Sequence, residues 1–456
     1  MEREYNCNTF FVKDVSFYRH LIVLAVPIIL QNLITFGVVL ADNLMIGRFG
    51  DAAISGLYMG TLVHTLIQTL IAGIESTALI LCAQYWGKND LDRIKDVISI
   101  SMRLSIGLTL FFTCAATLFP DCIMRLLTHE QAVVHEGAKY LRIAGFSYLF
   151  FCVSQILVVA MRSVEIVRIG LINAVVACIS NVLLNMLFIF GMCGFPRMAV
   201  AGAALATLIS RILELCVVLY FVMKVDKRLL LKFHDFLRWN KDIFNDIIRY
   251  GTPILLGQLV WAFNHLMQRT VLGHLNAGAI TAASVTGVLD NLIMMGVWGL
   301  ASATGIVVGK TIGAGEYERV KQYARTMQVI FALDGVLSML IVYFVYPLFL
   351  SCYNLSADAY QYTCQFMLVL SVAVFGRCYQ APSLFGLVKS GGDTAFVFKN
   401  DTFWVIFWIL PLSVIALYFH FEPWIVFAIL LSDQITKCFV AVVKINSFNW
   451  IHNLTR

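Results

Sequence analysis

Charge is what this chain has least of. Asp, Glu, Lys and Arg together make up 13 % of its 456 residues, against about 25 % in soluble globular domains. So few charged side chains cannot clothe a globule of this length in water, which excludes a soluble protein. The net charge of +6 is modest and spread along the chain, which removes nucleic acid as an expected partner. Signatures of covalent and metal chemistry are missing too. The 12 cysteines show no Cys-x-x-Cys or paired Cys/His spacing, and most lie in apolar stretches as small apolar residues. Cys122, Cys193 and Cys352 fall in expected outside loops, where three cannot all pair. No nucleophile elbow, phosphate loop or zinc-protease motif occurs, and Gly391-Gly392-Asp393-Thr394 is a short turn, weak as a phosphate site.

Apolar surface is abundant instead, at 60 % of residues against roughly 45–50 % in soluble proteins. That surplus must face lipid. A membrane helix needs about 20 mostly apolar residues, and twelve such stretches stand out: near 21–47, 57–86, 97–119, 140–161, 169–191, 200–223, 248–273, 282–309, 325–349, 365–388, 402–420 and 423–445. The first is too long to be the apolar core of a signal peptide. The expected fold is an all-α polytopic membrane protein.

Orientation follows from Lys and Arg placement. With the N-terminus inside, the inside segments collect Arg3, Lys13, Arg19, Lys88, Arg93 and Lys95, among others. The connection between spans six and seven alone adds Lys224, Lys227, Arg228, Lys232, Arg238 and Lys241. The outside loops hold only Arg48, Arg125, Lys139, Arg142 and Arg197. Both termini are therefore expected in the cytoplasm, and the 6–7 connection is read as a solvated connector.

The segments starting AVPIILQNL and GTPILLGQL align without a gap at the offset 253 − 27 = 226. Pro27/Pro253, Gly47/Gly273, Gly73/Gly299, Gly87/Gly313 and Arg93/Arg319 are among the identical pairs. A six-helix unit is thus used twice, and because six is even the two copies enter from the same side, a parallel repeat about an axis normal to the membrane. The expected division is an N-terminal lobe at 1–224, a cytoplasmic linker at 225–243 and a C-terminal lobe at 244–456. Such a pair of bundles suits two lobes rocking about a central cleft, which is a transporter's requirement and not an enzyme's. In the turns W-G-K-N-D at 86–90 and I-G-A-G-E at 312–316, glycine is expected to reverse the chain. Pro27 and Pro253, at matching depth in spans one and seven, each remove a backbone hydrogen bond and are read as hinges or static bends.

Ionisable groups inside spans are functional candidates by default. Asp42, about one and a half turns from the outer end of span one, must be protonated, hold a cation or pair with a donor. Asn181 and Asn185 share one face of span five at a similar depth, and Thr207 lies roughly two turns down span six. One carboxylate, two amide oxygens and a hydroxyl form the all-oxygen set that hard cations such as Na+ prefer, or they glue helices together. At the repeat offset Asp42 becomes Gln268, with Trp408 and Leu412 near the positions of Asn181 and Asn185, so the first lobe is expected to hold the coupling ion. Arg377, in mid-span, must face a cavity or an acid, Asp290 or Asp334. Gln155, Gln268, Arg377, Asp290 and Met45 are candidate cavity residues. Glu75, Glu214 and Asp433 are weaker candidates, and His64 and His265 are read mainly as structural.

The order of motifs carries a family resemblance across nearly the whole chain: P-I-I-L-Q-N-L then A-D-N-L-M-I-G-R-F-G in span one, A-Q-Y-W-G-K-N-D after span two, I-S-N-V-L-L-N-M-L-F-I-F-G in span five, A-G-A-A-L-A-T-L-I-S in span six and K-S-G-G-D-T after span ten. It resembles the multidrug and toxic compound extrusion (MATE) exporters, most closely the branch named after DNA-damage-inducible transporters. The resemblance implies multidrug export driven by inward Na+ or H+, with no other cofactor, and places the family's cation site on Asp42, Asn181 and Thr207, with Gln155 of span four as a further position. Many relatives carry aspartate where this chain has Asn185, and the glutamate that some branches place in span seven is absent near Trp261. The expected partners are a small molecule and the lipid bilayer, the expected state a monomer in a bacterial cytoplasmic membrane. Two alternatives stay open: a lipid-linked precursor flippase, which would add two helices and a more basic cleft, and a polytopic membrane enzyme acting on lipids, which would need a His, Asp or Glu cluster at one membrane face.

Overall fold

The computed structural model of the chain describes residues 11–46 and 50–455. Arg3 and Arg48 of the positive-inside pattern, and Gly47 of the repeat, lie outside the described residues. Among the described residues the secondary structure is helical, with no strand beyond an isolated bridge between Gly392 and Ile451. The long helices in order are α1 Val15–Ile46, α2 Asp51–Gly87, α3 Leu91–Leu118, α5 Gln131–Ser163, α6 Arg168–Phe190, α7 Ala199–Tyr220, α8 Lys241–Gly273, α9 Ala277–Gly313, α10 Tyr317–Leu350 and α11 Ala357–Ala381. A short helix, α4 Pro120–Leu127, follows α3. Two further spans are each built from paired segments, α12 Thr394–Phe403 with α13 Leu410–Tyr418, and α14 Pro423–Leu431 with α15 Asp433–Ser447.

Among the described residues eleven spans are apolar enough to cross a membrane by length and composition. The twelfth expected span, α8, is 33 residues long, but Gln258, Asn264, His265 and Gln268 dilute its apolar run. Apolar side chains face outward as well as inward: on α10, Leu333, Leu337, Leu340, Phe344 and Leu348 form an exposed stripe at helical spacing, a face that suits lipid. The protein is a multi-pass membrane protein. Where a loop holding Cys122 and Arg125 is expected, Pro120 at the first position and Asp121 in the first turn start α4, as proline and an acid favour a helix start. Cys122 and Cys352 are free thiols.

The chain divides into two compact units. One comprises Leu30–Trp86 and Asp90–Leu255; the other comprises residues 11–29, Gly87–Asn89 and residues 256–455. This differs from a division at 224 and 244: the linker and the first turns of α8 group with the first unit, and the first turns of α1 and the turn Gly87–Asn89 group with the second. α1 and α8 are each continuous helices, and the boundary between the units crosses both two residues past a proline, at Ile29 after Pro27 and at Leu255 after Pro253. A proline cannot bond the carbonyl four residues back, so the helix axis is free to change direction there.

In the first unit a core of Ile46, Leu57, Tyr140, Leu141, Ile189 and Val200 gathers α1, α2, α5, α6 and α7. Gly202 lets α7 approach the α6 backbone so closely that a Cβ would sit 2.7 Å from the Phe188 carbonyl, the small-residue packing that suits helices in lipid. In the second unit Phe366 stacks on Phe427 at 4.2 Å within the core around α9, α10, α11 and α14.

The two repeat turns solve the reversal differently from expectation. Asn89 (φ 61°), not Gly87, is the left-handed residue of the first, whereas Gly315 (φ 76°) serves the second. Asparagine tolerates that conformation because its short side chain bonds locally. Gly87 is needed for closeness instead: a Cβ there would meet the Lys310 carbonyl at 1.9 Å.

The linker is not a free connector but is docked on α3, with its lysines exposed. Asp226 accepts from the N–H groups of Arg228, Leu229 and Leu230, and a 3-10 turn, Phe233–Leu237, lies along the start of α3. There Lys95 reaches Asp235 at 3.2 Å, Arg238 pairs with Asp92 at 2.9 Å and Asp96 at 3.2 Å, and the Ser99 hydroxyl bridges the carbonyls of Phe236 and Arg238. Burial by itself would raise the Asp235 carboxyl, but the Lys232 N–H, Lys95 and His234 outweigh it and hold the group below the ordinary carboxylate value.

Candidate functional site

The outer part of α1 brings Asp42 against α6. Helical spacing puts Asn181 and Asn185 one turn apart on the buried face of α6, both inaccessible to solvent. The Asn185 side-chain amide donates to Asp42 Oδ1 at 2.5 Å and to Asn181 Oδ1 at 3.0 Å. That orientation spends both donors of Asn185 on its two neighbours and leaves its own Oδ1 buried with no partner among the described residues. A stranded acceptor costs about 1–3 kcal/mol unless something fills it. A carboxylate oxygen, the Asn181 carbonyl and a vacant amide carbonyl together suit Na+, which takes oxygen ligands, and equally a proton on the carboxylate.

Thr207 is not joined to this cluster by a hydrogen bond. Its hydroxyl donates to Ala203 O within α7 at 2.9 Å, which leaves only its lone pairs for another ligand. Gln155 belongs elsewhere as well: its amide reaches Glu214 Oε1 at 3.4 Å. Met45 is partly buried and packs against the core of Ile46, Leu57 and Tyr140.

Glu214 organises a second buried network. Arg211 holds its carboxylate at 2.6 Å, Asn173 donates to it at 2.9 Å and also reaches Ser154 Oγ at 3.1 Å. The Arg211 guanidinium lies 4.8 Å over the Phe151 ring. Sequence reasoning missed Arg211 and Asn173. The signal available was an Arg and a Glu three apart in a span, neighbours on a helix surface. Arg162 donates to Gln31 Oε1 at 3.0 Å.

In the second unit no acid takes the place of Asp42. Gln268 donates to the Leu430 carbonyl at 3.3 Å and to Asn264 Oδ1 at 3.5 Å, tying α8 to α14. Arg377 pairs with Asp290, the first of its two expected partners. Lys437 sits buried between Asp401 and Asp433, 3.0 Å from each, and Gln434 links Asp433 to Gln380. Asp401 and Lys437 were not singled out from sequence. His64 stacks on Tyr148 and His265 packs edge-on against Trp261, the surroundings of structural histidines.

A sequence model of the MatE family matches residues 27–187 and 253–414. The two matched segments begin 253 − 27 = 226 residues apart, the offset of the internal repeat. Curated proteins share the similarity over most of their length. A probable multidrug resistance protein, YoeA, of Bacillus subtilis is 25 % identical over 335 residues, 72 % of each chain. A probable multidrug resistance protein, NorM, of Mesorhizobium japonicum is 28 % identical over 424 residues, 88 % of this chain and 87 % of its own. Among solved structures, MATE in a straight conformation matches with a TM-score of 0.85 at 17 % identity, covering 96 % of this chain and 99 % of that one. MATE in a bent conformation matches with a TM-score of 0.84, also at 17 % identity, covering 96 % and 98 %.

Proposed function

The chain belongs to the MATE family, and from that membership we propose that it is a secondary active exporter of amphipathic, often cationic organic compounds, driven through alternating access by H+ or Na+ moving inward. The observation that carries this reading is the Asp42, Asn185 and Asn181 cluster: one carboxylate with a vacant amide carbonyl beside it, in one copy of a duplicated bundle. The names of its multidrug resistance relatives support the substrate class.

Asp42 and the stranded Asn185 carbonyl bind the entering ion, Asn181 supplies a further oxygen, and Thr207 contributes from α7. Neutralising the carboxylate removes the charge that the Asn185 amide now serves, which alters what holds α1 to α6. Pro27 gives α1 a place to bend in response, and the straight and bent structures of relatives support two such states. One charge moving down 100 mV supplies about 2.3 kcal/mol, enough for roughly a 50-fold substrate gradient at 1.36 kcal/mol per decade. A pH or Na+ gradient supplies any excess. The protein works as a transporter and not as an enzyme, as a monomer, with both termini on the cytoplasmic side of a bacterial inner membrane.

The experiment is uptake of a fluorescent organic cation into proteoliposomes, with pH and Na+ gradients imposed separately. Accumulation driven by one of them is expected. Equal uptake with both gradients collapsed overturns coupling, and gradient-driven uptake of no organic compound in a broad panel overturns the substrate class.

A further inference from the structure

The linker that docks on α3 presents an outer surface which neither ion coupling nor export uses. Between residues 224 and 241 the two acids point inward: Asp226 is 8 % and Asp235 3 % exposed, and both are consumed by backbone N–H groups and Lys95. Leu229 and Leu231 turn inward as well, but four apolar side chains do the reverse, with Leu230 at 56 %, Phe233 at 72 %, Leu237 at 77 % and Trp239 at 58 % exposure. Lys224, Lys227, Lys232 and Lys241 stand exposed among them, and none forms an ion pair with a described residue. A water-facing loop would bury its aromatics and expose its acids. This one is turned over.

Its height on α3 says what covers it. The first turns of α3 carry Asp92, Arg93, Lys95, Asp96 and Arg103, and no charged residue follows as far as Leu118. Arg103 therefore marks the border between water and hydrocarbon on that helix. The linker is fastened there: Ser99 and Arg103 both bond the Phe236 carbonyl, and the Arg103 guanidinium lies 5.7 Å over the Trp239 ring. Trp239, Phe233 and Leu237 are thus held at headgroup depth, with unpaired lysines around them. Apolar groups facing the acyl boundary and lysines facing phosphates are the two attachments of an interfacial segment.

We propose that residues 224–241 form an interfacial docking site for anionic phospholipid, which fixes the linker of the first unit to one leaflet. The phosphate groups neutralise Lys224, Lys227, Lys232 and Lys241 while Phe233, Leu237 and Trp239 enter the acyl boundary. The site does not depend on which compound the protein exports.

The test uses the full chain. In vesicles with phosphatidylcholine and phosphatidylglycerol brominated near the headgroup end of their acyl chains, the emission difference between wild type and Trp239→Phe reports Trp239 alone. Strong quenching by bromolipid and weak quenching by aqueous iodide are expected. Quenching by iodide with none by bromolipid overturns the proposal and leaves a water-facing surface open to a soluble partner. In detergent, phosphatidylglycerol is expected to raise the unfolding midpoint where phosphatidylcholine and inorganic phosphate do not. The Lys224→Gln/Lys227→Gln/Lys232→Gln variant, altered only at exposed side chains, should require at least about tenfold more of that lipid. An equal rise with inorganic phosphate makes this a free-anion site and overturns the assignment, as does a rise unchanged in the triple variant.

Discussion

Asn185 gives its amide to Asp42 at 2.5 Å and keeps its own carbonyl oxygen buried, with no partner among the described residues. Asp42→Asn removes the charge and is expected to bring gradient-driven efflux to the level of protein-free vesicles with membrane expression intact. Asn185→Leu removes both the donor and the vacant acceptor. A hydrogen bond to a charged group is worth about 1.5–3 kcal/mol, so the half-saturating ion concentration should rise roughly tenfold or more. Transport assayed across a series of Na+ and pH values checks both variants, and normal efflux by Asp42→Asn would remove Asp42 from the coupling step.

The Arg211 and Glu214 pair makes a prediction about stability. Glu214 is 3 % exposed, and Arg211→Met strands its carboxylate, a loss of about 3–5 kcal/mol. Asn173, which donates to the same oxygen that Gln155 reaches, cannot neutralise it. The double variant Arg211→Met/Glu214→Leu removes both charges and should recover most of the lost thermal stability. Midpoints from detergent-solubilised protein decide it, and an equally damaged double variant would mean that the ion pair is not what Arg211 contributes.

Pro27→Ala restores an N–H able to bond the Val23 carbonyl, and an interior proline costs a helix about 3 kcal/mol. Stability is expected to rise while transport falls several-fold, because the bend is used in the cycle. Thermal unfolding and initial uptake rates separate the outcomes: a more stable variant with unchanged uptake makes Pro27 a static bend. Pro253→Ala, in the matching position of α8, is expected to behave in the same direction.

The linker has a pH signature. Asp235 is held below the ordinary carboxylate value, so the stability it contributes is fully present above about pH 4 and is lost as the pH falls through its lowered value. Proteolysis between residues 226 and 240 should therefore be slow and constant from pH 8 to about pH 5 and accelerate only below about pH 4. Asp235→Asn should be cleaved faster throughout and lose the acid dependence. A wild-type rate that climbs between pH 7 and pH 5 would remove Asp235 from the control of this docking.

Part of the site was legible because the information is local. Asp42 stands out as a lone carboxylate in an apolar run, and the four-residue spacing of Asn181 and Asn185 already places them on one face. Contact between α1 and α6 across 143 residues of sequence follows only from matching depths, which is why the reach of that reading stopped at Thr207; Gln155 came from the family resemblance alone. Depth places Thr207 beside the site, but its hydroxyl bonds its own helix. Gln155 faces Glu214, because which side of α5 it occupies is decided by packing.

The linker shows the limit most clearly. Its six cations read as a solvated run, since composition does not say which side chains turn inward; docking on α3 turned the acids in and the aromatics out. Lys437 likewise drew no notice in the sequence, and only the fold shows Asp401 and Asp433 closing around it. Span number, the parallel repeat and the membrane habitat were determined by the sequence alone, because hydropathy and repetition are written along one dimension and lipid acts on each span separately. Which helix faces meet, how α1 divides at Pro27 and where each buried charge finds its counter-charge were decided only by tertiary structure, because a hydrogen bond or ion pair depends on the direction of two side chains whose helices the sequence places far apart.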